Sequence, residues 1–270
     1  MDASFANIPW AEFWRLLTVI FAPFWGSFLA LFVRRWPAGE PVITGRSRCD
    51  HCGRTLTAIE LIPILSWLWL RGRCRQCGTA IGLGVLAFEL VMLALALVLV
   101  AVGPAGVQAF VWLITAGLLL AVGVIDARHL MIPTGAVAVI LLLGLLDSLA
   151  AHPLVPLSLT ALLRERLLGA VAGYAGMALL REAYRSLRGR EGLGSGDPLL
   201  MAALGAWLGW QGLPMALLIA AVAGLVFVLA GGLLRRRWPR ATDTLAFGPF
   251  LIAGALGVRA WQLAGAWTMG

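Results

Sequence analysis

Residues 81–102 read Ile81-Gly82-Leu83-Gly84-Val85-Leu86-Ala87-Phe88-Glu89-Leu90-Val91-Met92-Leu93-Ala94-Leu95-Ala96-Leu97-Val98-Leu99-Val100-Ala101-Val102. One charge, Glu89, interrupts a run long enough to cross a bilayer, which takes about 20 apolar residues. The whole chain has this character. Of its 270 residues, 61% are hydrophobic and 13% charged, and the mean hydropathy is +0.91. A soluble domain is about half apolar and about a quarter charged, and a globule of this size still needs a polar surface. The composition therefore excludes a soluble enzyme and a disordered chain, and leaves a polytopic membrane protein.

Outward from this run, seven further apolar stretches cover roughly 13–33, 107–125, 133–150, 167–180, 198–212, 214–234 and 245–267. The stretches at 167–180 and 198–212 are short for a crossing. Arginine position decides their status. All 21 basic residues are arginine, so mechanisms that need lysine are excluded. With the N-terminus outside and all eight stretches crossing, seventeen of the 21 fall in cytoplasmic loops. Removing either short stretch as a span sends Arg235, Arg236 and Arg237 outside, against the positive-inside rule. The sequence thus predicts an all-α polytopic membrane protein of about eight transmembrane helices, with both termini on the outer side. The net charge of +8 records orientation rather than nucleic-acid binding. The N-terminus lacks the basic segment and small-residue cleavage site of a signal peptide, so the first span reads as permanent. No internal repeat and no low-complexity tract stands out.

The one sizeable hydrophilic insertion, residues 34–80, holds all four cysteines: Cys49, Cys52, Cys74 and Cys77. Two CxxC pairs separated by 21 residues supply four thiolates to one tetrahedral centre, which suits zinc. The surrounding Arg48, Arg54, Arg73 and Arg75 are expected to lower the thiol pKa values. A redox role and two disulfides are the competing readings; a reducing cytoplasm disfavours the second. His51, between the first pair, is a further candidate ligand. Residues 61–70 (LIPILSWLWL) are apolar but too short to cross, and either form the core of the loop domain or lie against the bilayer. The expected organisation is a first helix over 1–33, a small zinc-stapled cytoplasmic loop domain over 34–80, and a seven-helix domain over 81–270.

Carboxylates in or against spans are costly and mark function. Four qualify: Glu89, Asp126, Asp147 and Asp197. Asp126 ends the third stretch and Asp197 opens the sixth, within Gly194-Ser195-Gly196-Asp197-Pro198. The arginine-derived topology puts both at the cytoplasmic face, although it was fixed without reference to either. Two carboxylates brought together share a proton, so that one takes a proton from water while the other hydrogen-bonds a scissile carbonyl. Taken alone, Asp197 also reads as an N-cap before proline, and Asp126 as a boundary charge paired with Arg128. Glu89 is expected to pair with an arginine of the loop, Asp147 to reach the outer interface, and Arg259, deep in the last stretch, to have an acidic or carbonyl partner. Trp10, Trp14, Trp36, Trp238 and Trp267 sit near span ends as interfacial anchors.

The motifs together resemble the prepilin peptidase family, the leader peptidases of type IV pili and type II secretion. They run in order through nearly the whole chain: Gly26-Ser27-Phe28-Leu29, Cys49-Asp50-His51-Cys52-Gly53, Leu61-Ile62-Pro63-Ile64-Leu65-Ser66-Trp67-Leu68, Arg71-Gly72-Arg73-Cys74-Arg75-Gln76-Cys77-Gly78, Ile125-Asp126, Gly194-Ser195-Gly196-Asp197, Gly205-Ala206-Trp207-Leu208-Gly209 and Phe247-Gly248-Pro249-Phe250-Leu251. The resemblance implies a GxGD-type intramembrane aspartyl protease of the bacterial inner membrane, with Asp126 and Asp197 as its catalytic pair. Its substrates would be prepilins or pseudopilins, cut after a short basic leader at the cytoplasmic face. It also implies N-methylation of the new N-terminus with S-adenosylmethionine, an activity associated with the zinc-bearing loop. No glycine-rich nucleotide fingerprint marks a methyl-donor site, so the residues binding it are unassigned. The chain departs from the family pattern at Leu199, where lysine is usual, and at Ala30, where asparagine is usual. A basic leader would be met by Glu60, Glu89, Glu182, Glu191 or Asp243, or by anionic lipid headgroups. From another class, a proton- or cation-coupled transporter also uses membrane aspartates, but near the bilayer midplane rather than at one edge. A homologue that binds or assembles without catalysis would not need its two aspartates.

Overall fold

The computed structural model describes residues 10–104, 106–151, 158–189, 192–234 and 245–268. The described residues form helices: α1 (Trp10–Arg35), α2 (Leu65–Trp69), α3 (Leu83–Val102), α4 (Val107–His129), α5 (Thr134–Ala151), α6 (Leu159–Arg188), α7 (Asp197–Leu208), α8 (Leu213–Leu234) and α9 (Gly248–Thr268). Each of the eight apolar stretches lies on its own helix, and α2 is the extra element inside the insertion. Four helices (α1, α3, α4 and α8) are long and apolar enough to cross a membrane. The cluster Arg235, Arg236, Arg237 and Arg240, with Trp238 and Asp243, lies outside the described residues, as do Arg190 and Glu191.

The chain divides into two compact units, Met1–Gly117 and Leu118–Gly270. In the first, α1 packs on α3 through Gly26. A side chain there would meet the Phe88 carbonyl oxygen at 2.6 Å and Glu89 Cα at 2.7 Å, so glycine is what lets the two backbones approach. Trp14 and Phe21 of α1 close on Phe110 at ring distances of 5.8 and 5.1 Å. Arg35, buried at the end of α1, donates to the carbonyls of Pro41, Gly45 and Arg46 at 3.1–3.3 Å. That one guanidinium supplies donors to loop carbonyls that would otherwise be left without partners.

In the second unit α7 is the core. Its twelve residues span only about 18 Å, too little to cross the bilayer core unaided. All of them except Leu199 are buried. A short apolar helix wrapped by α5, α6 and α9 explains why this stretch is so weak as a span. Close crossing of α6 on α7 depends on Gly169, Gly173 and Gly205: a side chain on Gly169 or Gly205 would overlap the other's backbone, and one on Gly173 would overlap the Met201 carbonyl. The Gly169-xxx-Gly173 spacing puts both on one helix face.

The apparent shortness of the 167–180 stretch has a different origin. α6 has 30 residues, capped by the Ser158 hydroxyl, which accepts the Ala161 N–H at 3.3 Å, and closed by Gly189 at φ 66°. Arg166, Arg181, Arg185 and Arg188, which flank the apolar 167–180 stretch, are therefore helical. Asp147 does not reach the interface. It is fully buried and its Oδ2 accepts from Arg166 at 3.2 Å and Arg259 at 2.6 Å. Arg166 also donates to the Trp207 carbonyl, and Arg259 lies 5.3 Å from the Trp207 ring centre. This cluster ties α5, α6 and α9 to the C-terminal end of α7, and it gives Arg259 the acidic partner its depth demands.

The glycine packing is testable in detergent-solubilised protein by thermal unfolding. Gly173→Leu is expected to destabilise by about 1–3 kcal/mol or more through overpacking. Gly176→Leu, one turn along and facing open space, should leave the melting temperature unchanged.

Candidate active site and metal centre

Asp126 and Asp197 come together within the second unit. Asp126 lies one turn before the end of α4, 6% exposed; Asp197 is the first residue of α7, 4% exposed. The segment that follows α4 and the one that precedes α7 touch, because Gly196 has no side chain: a Cβ there would lie 2.7 Å from Ile132 Cβ. The two carboxylates are close enough to interact electrostatically, and Arg181 of α6 is within similar reach of Asp197.

Each carboxylate has one oxygen fixed by the backbone. Asp197 Oδ2 accepts the Gly194 N–H at 2.9 Å. Helix α7 begins one residue earlier than the sequence suggests: Gly196 occupies the N-cap and Asp197 the first turn, with its side chain folded back on Gly194. Asp126 Oδ2 accepts the Gly248 N–H at 3.0 Å. Gly248 opens α9, so this is one of the free N–H groups of a helix N-terminus. A Cβ on Gly248 would come within 2.6 Å of the same oxygen. One turn back on α4, Gly123 admits the start of α9, with Pro249 Cα 3.8 Å from the position of an added Cβ. Beyond Asp126 the chain turns sharply: the Leu130 N–H closes on the Asp126 carbonyl at 2.8 Å, with Leu130 at φ 55°. Leucine in the left-handed region costs about 1–2 kcal/mol, strain of the kind that concentrates at functional sites.

The four cysteines converge in the first unit. All four Sγ atoms lie within 4.8 Å of one another, and Cys49 and Cys77 Sγ are 3.8 Å apart. Four sulfurs about 2.3 Å from one zinc in tetrahedral array are about 3.8 Å apart, so the set can hold one metal ion. His51 is exposed and outside the set. The two halves are copies of one turn, a local repeat the sequence scan passed over because it is only eight residues long. In Arg48–Thr55, the Cys49 N–H bonds the Arg54 carbonyl and the Gly53 N–H bonds the Cys49 carbonyl, each at 2.9 Å. In Arg73–Ala80, Cys74 and Thr79, and Gly78 and Cys74, do the same. Gly53 and Gly78 take φ 69° and 70°, which only glycine adopts freely.

The cause of thiol activation differs from expectation. The Cys77 and Gln76 backbone N–H groups, more than arginine, draw Cys74 down to about 6. Cys52 accepts the Arg54 N–H, yet desolvation and the sulfurs of Cys49, Cys77 and Cys74 push it up to about 11. Four thiols so close cannot all ionise without a cation among them. Arg54 is divided between Glu60 and the Cys74 thiol, and Arg34 pairs with Asp50. Glu60 is held near 2 by the Thr57 N–H and by Arg54. Glu89 pairs with no arginine among the described residues; it is buried and accepts the Ile64 N–H at 2.7 Å. Of the acidic residues proposed to meet a basic leader, Glu60 and Glu89 are thus committed internally. Glu182 is exposed and paired with Arg185.

Residues 20–102 match the profile of the bacterial peptidase A24 N-terminal domain, and 113–229 that of the type IV leader peptidase family. A prepilin leader peptidase/N-methyltransferase of Dickeya chrysanthemi is 35% identical across 98% of both chains. Proteins of the same name from Aeromonas salmonicida (34%, covering 92% of this chain and 90% of the relative) and Burkholderia pseudomallei (41%, covering 81% and 68%) are also similar. The chain belongs to the type IV leader peptidase family. No solved structure matches it. It is a membrane peptidase, and the two family segments separate the four-cysteine loop from the helices bearing both aspartates.

Two residues at this peptidase's aspartate pair escaped the sequence scan. Gly248 was visible only as part of a motif before the last helix; its contact with Asp126, 122 residues away, needs the fold. Arg181 lies just past the apolar 167–180 stretch, and only the full length of α6 puts it on that helix. If Gly248 is glycine because Asp126 leaves no room, Gly248→Val should lower peptidase turnover about 100-fold, the scale of a 1 Å misplacement, with less effect on melting temperature. Unchanged turnover would show that the close approach is incidental.

Proposed function

We propose that the chain is an aspartyl endopeptidase of the bacterial inner membrane that removes the short basic leader from type IV prepilins or type II secretion pseudopilins at the cytoplasmic face. The observation that carries this is the meeting of Asp126 and Asp197, from opposite helix ends, within electrostatic reach and each held by a backbone N–H. Fixing Oδ2 of each sets the plane of each carboxylate. The pair shares one proton: the ionised member takes a proton from water as it attacks the scissile carbonyl, and the protonated member hydrogen-bonds the carbonyl oxygen. Both then exchange roles as the amine leaves. Placement at helix ends, rather than mid-helix, favours peptide-bond chemistry at the membrane edge over ion coupling at its midplane. Eight crossings with both termini outside, and residues 81–270 as the peptidase domain, complete the assignment.

The four-cysteine module over 34–80 is read as a structural zinc site, held by Cys49, Cys52, Cys74 and Cys77; a closed four-sulfur shell leaves no position for substrate. The names of the relatives carry N-methyltransferase, which for this chain would mean S-adenosylmethionine as donor to the new N-terminus. The sequence has no glycine-rich nucleotide fingerprint, so no residue and no step is assigned to that donor.

Cleavage of a prepilin in membranes bearing Asp126→Asn or Asp197→Asn tests the pair: both variants should lose activity by at least about 10³-fold. Normal cleavage by either would sink the dyad. Elemental analysis of the purified protein should find one zinc per chain, lost in Cys74→Ser together with stability of the loop. The mass of the mature product's N-terminus reads methylation directly.

A further inference from the structure

The segment over 59–70 has the composition of a small core but is not one. Ile59, Leu61, Ile62, Leu65, Leu68 and Trp69 are all exposed, Leu65 to 65% and Trp69 to 76%. Its position relative to the helices of its own unit accounts for this. The Ile64 N–H donates to Glu89 Oε2 at 2.7 Å, and on α1 a Cβ at Gly26 would lie 2.7 Å from Glu89 Cα. Glu89 is six residues inside α3, or about 9 Å from its start. Gly26 is eight residues before Arg34, or about 12 Å by the same rise. Helix α3 has 20 residues, a length of about 30 Å that matches the hydrocarbon core. Two independent helices thus place Pro63 and Ile64 at the same depth, well inside the end of each span.

We infer that residues 59–70 form a re-entrant element that dips into the bilayer beside α1 and α3 and presents its apolar face to lipid. Backbone outside a helix is tolerated at that depth only when its polar groups are met by protein. Here they are. The Ser66, Leu68 and Leu70 N–H groups bond Ile62, Ile64 and Ser66 carbonyls within the segment. The Ile64 N–H, at the N-terminus of the short α2 where no helical acceptor exists, is taken by Glu89. Ile64 has φ 63°, an unfavourable setting for a β-branched residue, and it is this backbone setting that holds the N–H on Glu89. The entry is marked by the Arg54–Glu60 pair and the exit by Arg71, Arg73 and Arg75, which suit anionic headgroups. Glu89 is thereby a positioning residue: it sets the depth of the element.

The full-length protein in liposomes of phosphatidylethanolamine and phosphatidylglycerol, carrying a photoreactive phenylalanine at one position at a time, tests this. Positions 65, 68 and 69 should give lipid adducts by mass. Position 43, where Ile43 is 88% exposed but lies in the loop beyond α1, should give at least about fivefold less, since exposure alone is not depth. Adducts to a second copy or another polypeptide at 65 and 69, or equal lipid adducts at 43, would overturn the assignment. Glu89→Ala should reduce adducts at 65 about tenfold through loss of one buried acceptor, while Glu89→Gln, which keeps an acceptor, should retain them. Equal yields in both would remove the anchoring role. None of these readouts depends on cleavage.

Discussion

A polar group inside a low-dielectric interior must find a partner, because water is not there to provide one. Most of the unusual features of this chain are answers to that constraint. Asp147 sits between two arginines. Arg35 holds three loop carbonyls. Glu89 takes a backbone N–H that has no helical acceptor. Asp126 and Asp197 each accept a backbone N–H from a glycine. In each case the partner is backbone or a buried charge of opposite sign, and removing it would leave an orphan.

Glycine makes these meetings possible by removing side-chain bulk. Gly26 brings α3 onto α1 beside Glu89, Gly169, Gly173 and Gly205 let α7 settle into α6, and Gly196 and Gly248 bring two chain segments onto the aspartate pair. Lipid supplies no hydrophobic drive for helix association, so close backbone packing has to supply the attraction. The same close packing makes the aspartate pair rigid: three helix ends are pinned, and two carboxylate planes with them.

Much of this was legible beforehand. Apolar runs located every long helix, and the CxxC pairs located the cysteine cluster, because both signals are local in sequence. The GxGD segment and the residues around Asp126 marked the candidate pair, and arginine distribution gave a reason to put them on one face. What failed did so for specific reasons. Asp147 reads as interfacial from sequence because its partners lie 19 and 112 residues away. Glu89 was assigned to an arginine because no pattern announces that a carboxylate will bond a backbone N–H. Arginines beside the cysteines suggest that charge activates the thiols, whereas the tight turn aims N–H groups at Cys74 and the Thr79 hydroxyl bonds Cys77.

By itself, the sequence determined that this is a helical membrane protein, where its helices run, and which four sulfurs and two carboxylates are the candidates for chemistry. Those properties follow from composition and short-range spacing, which fix hydrophobic burial and metal geometry without reference to distant chain. Only the tertiary structure decided that α7 is a buried core helix, that Gly248 holds Asp126, and that the 59–70 segment keeps its apolar side chains outward. Each depends on which backbone groups lie within about 3 Å of a given carboxylate, and that is set by how helices cross rather than by what any one of them contains.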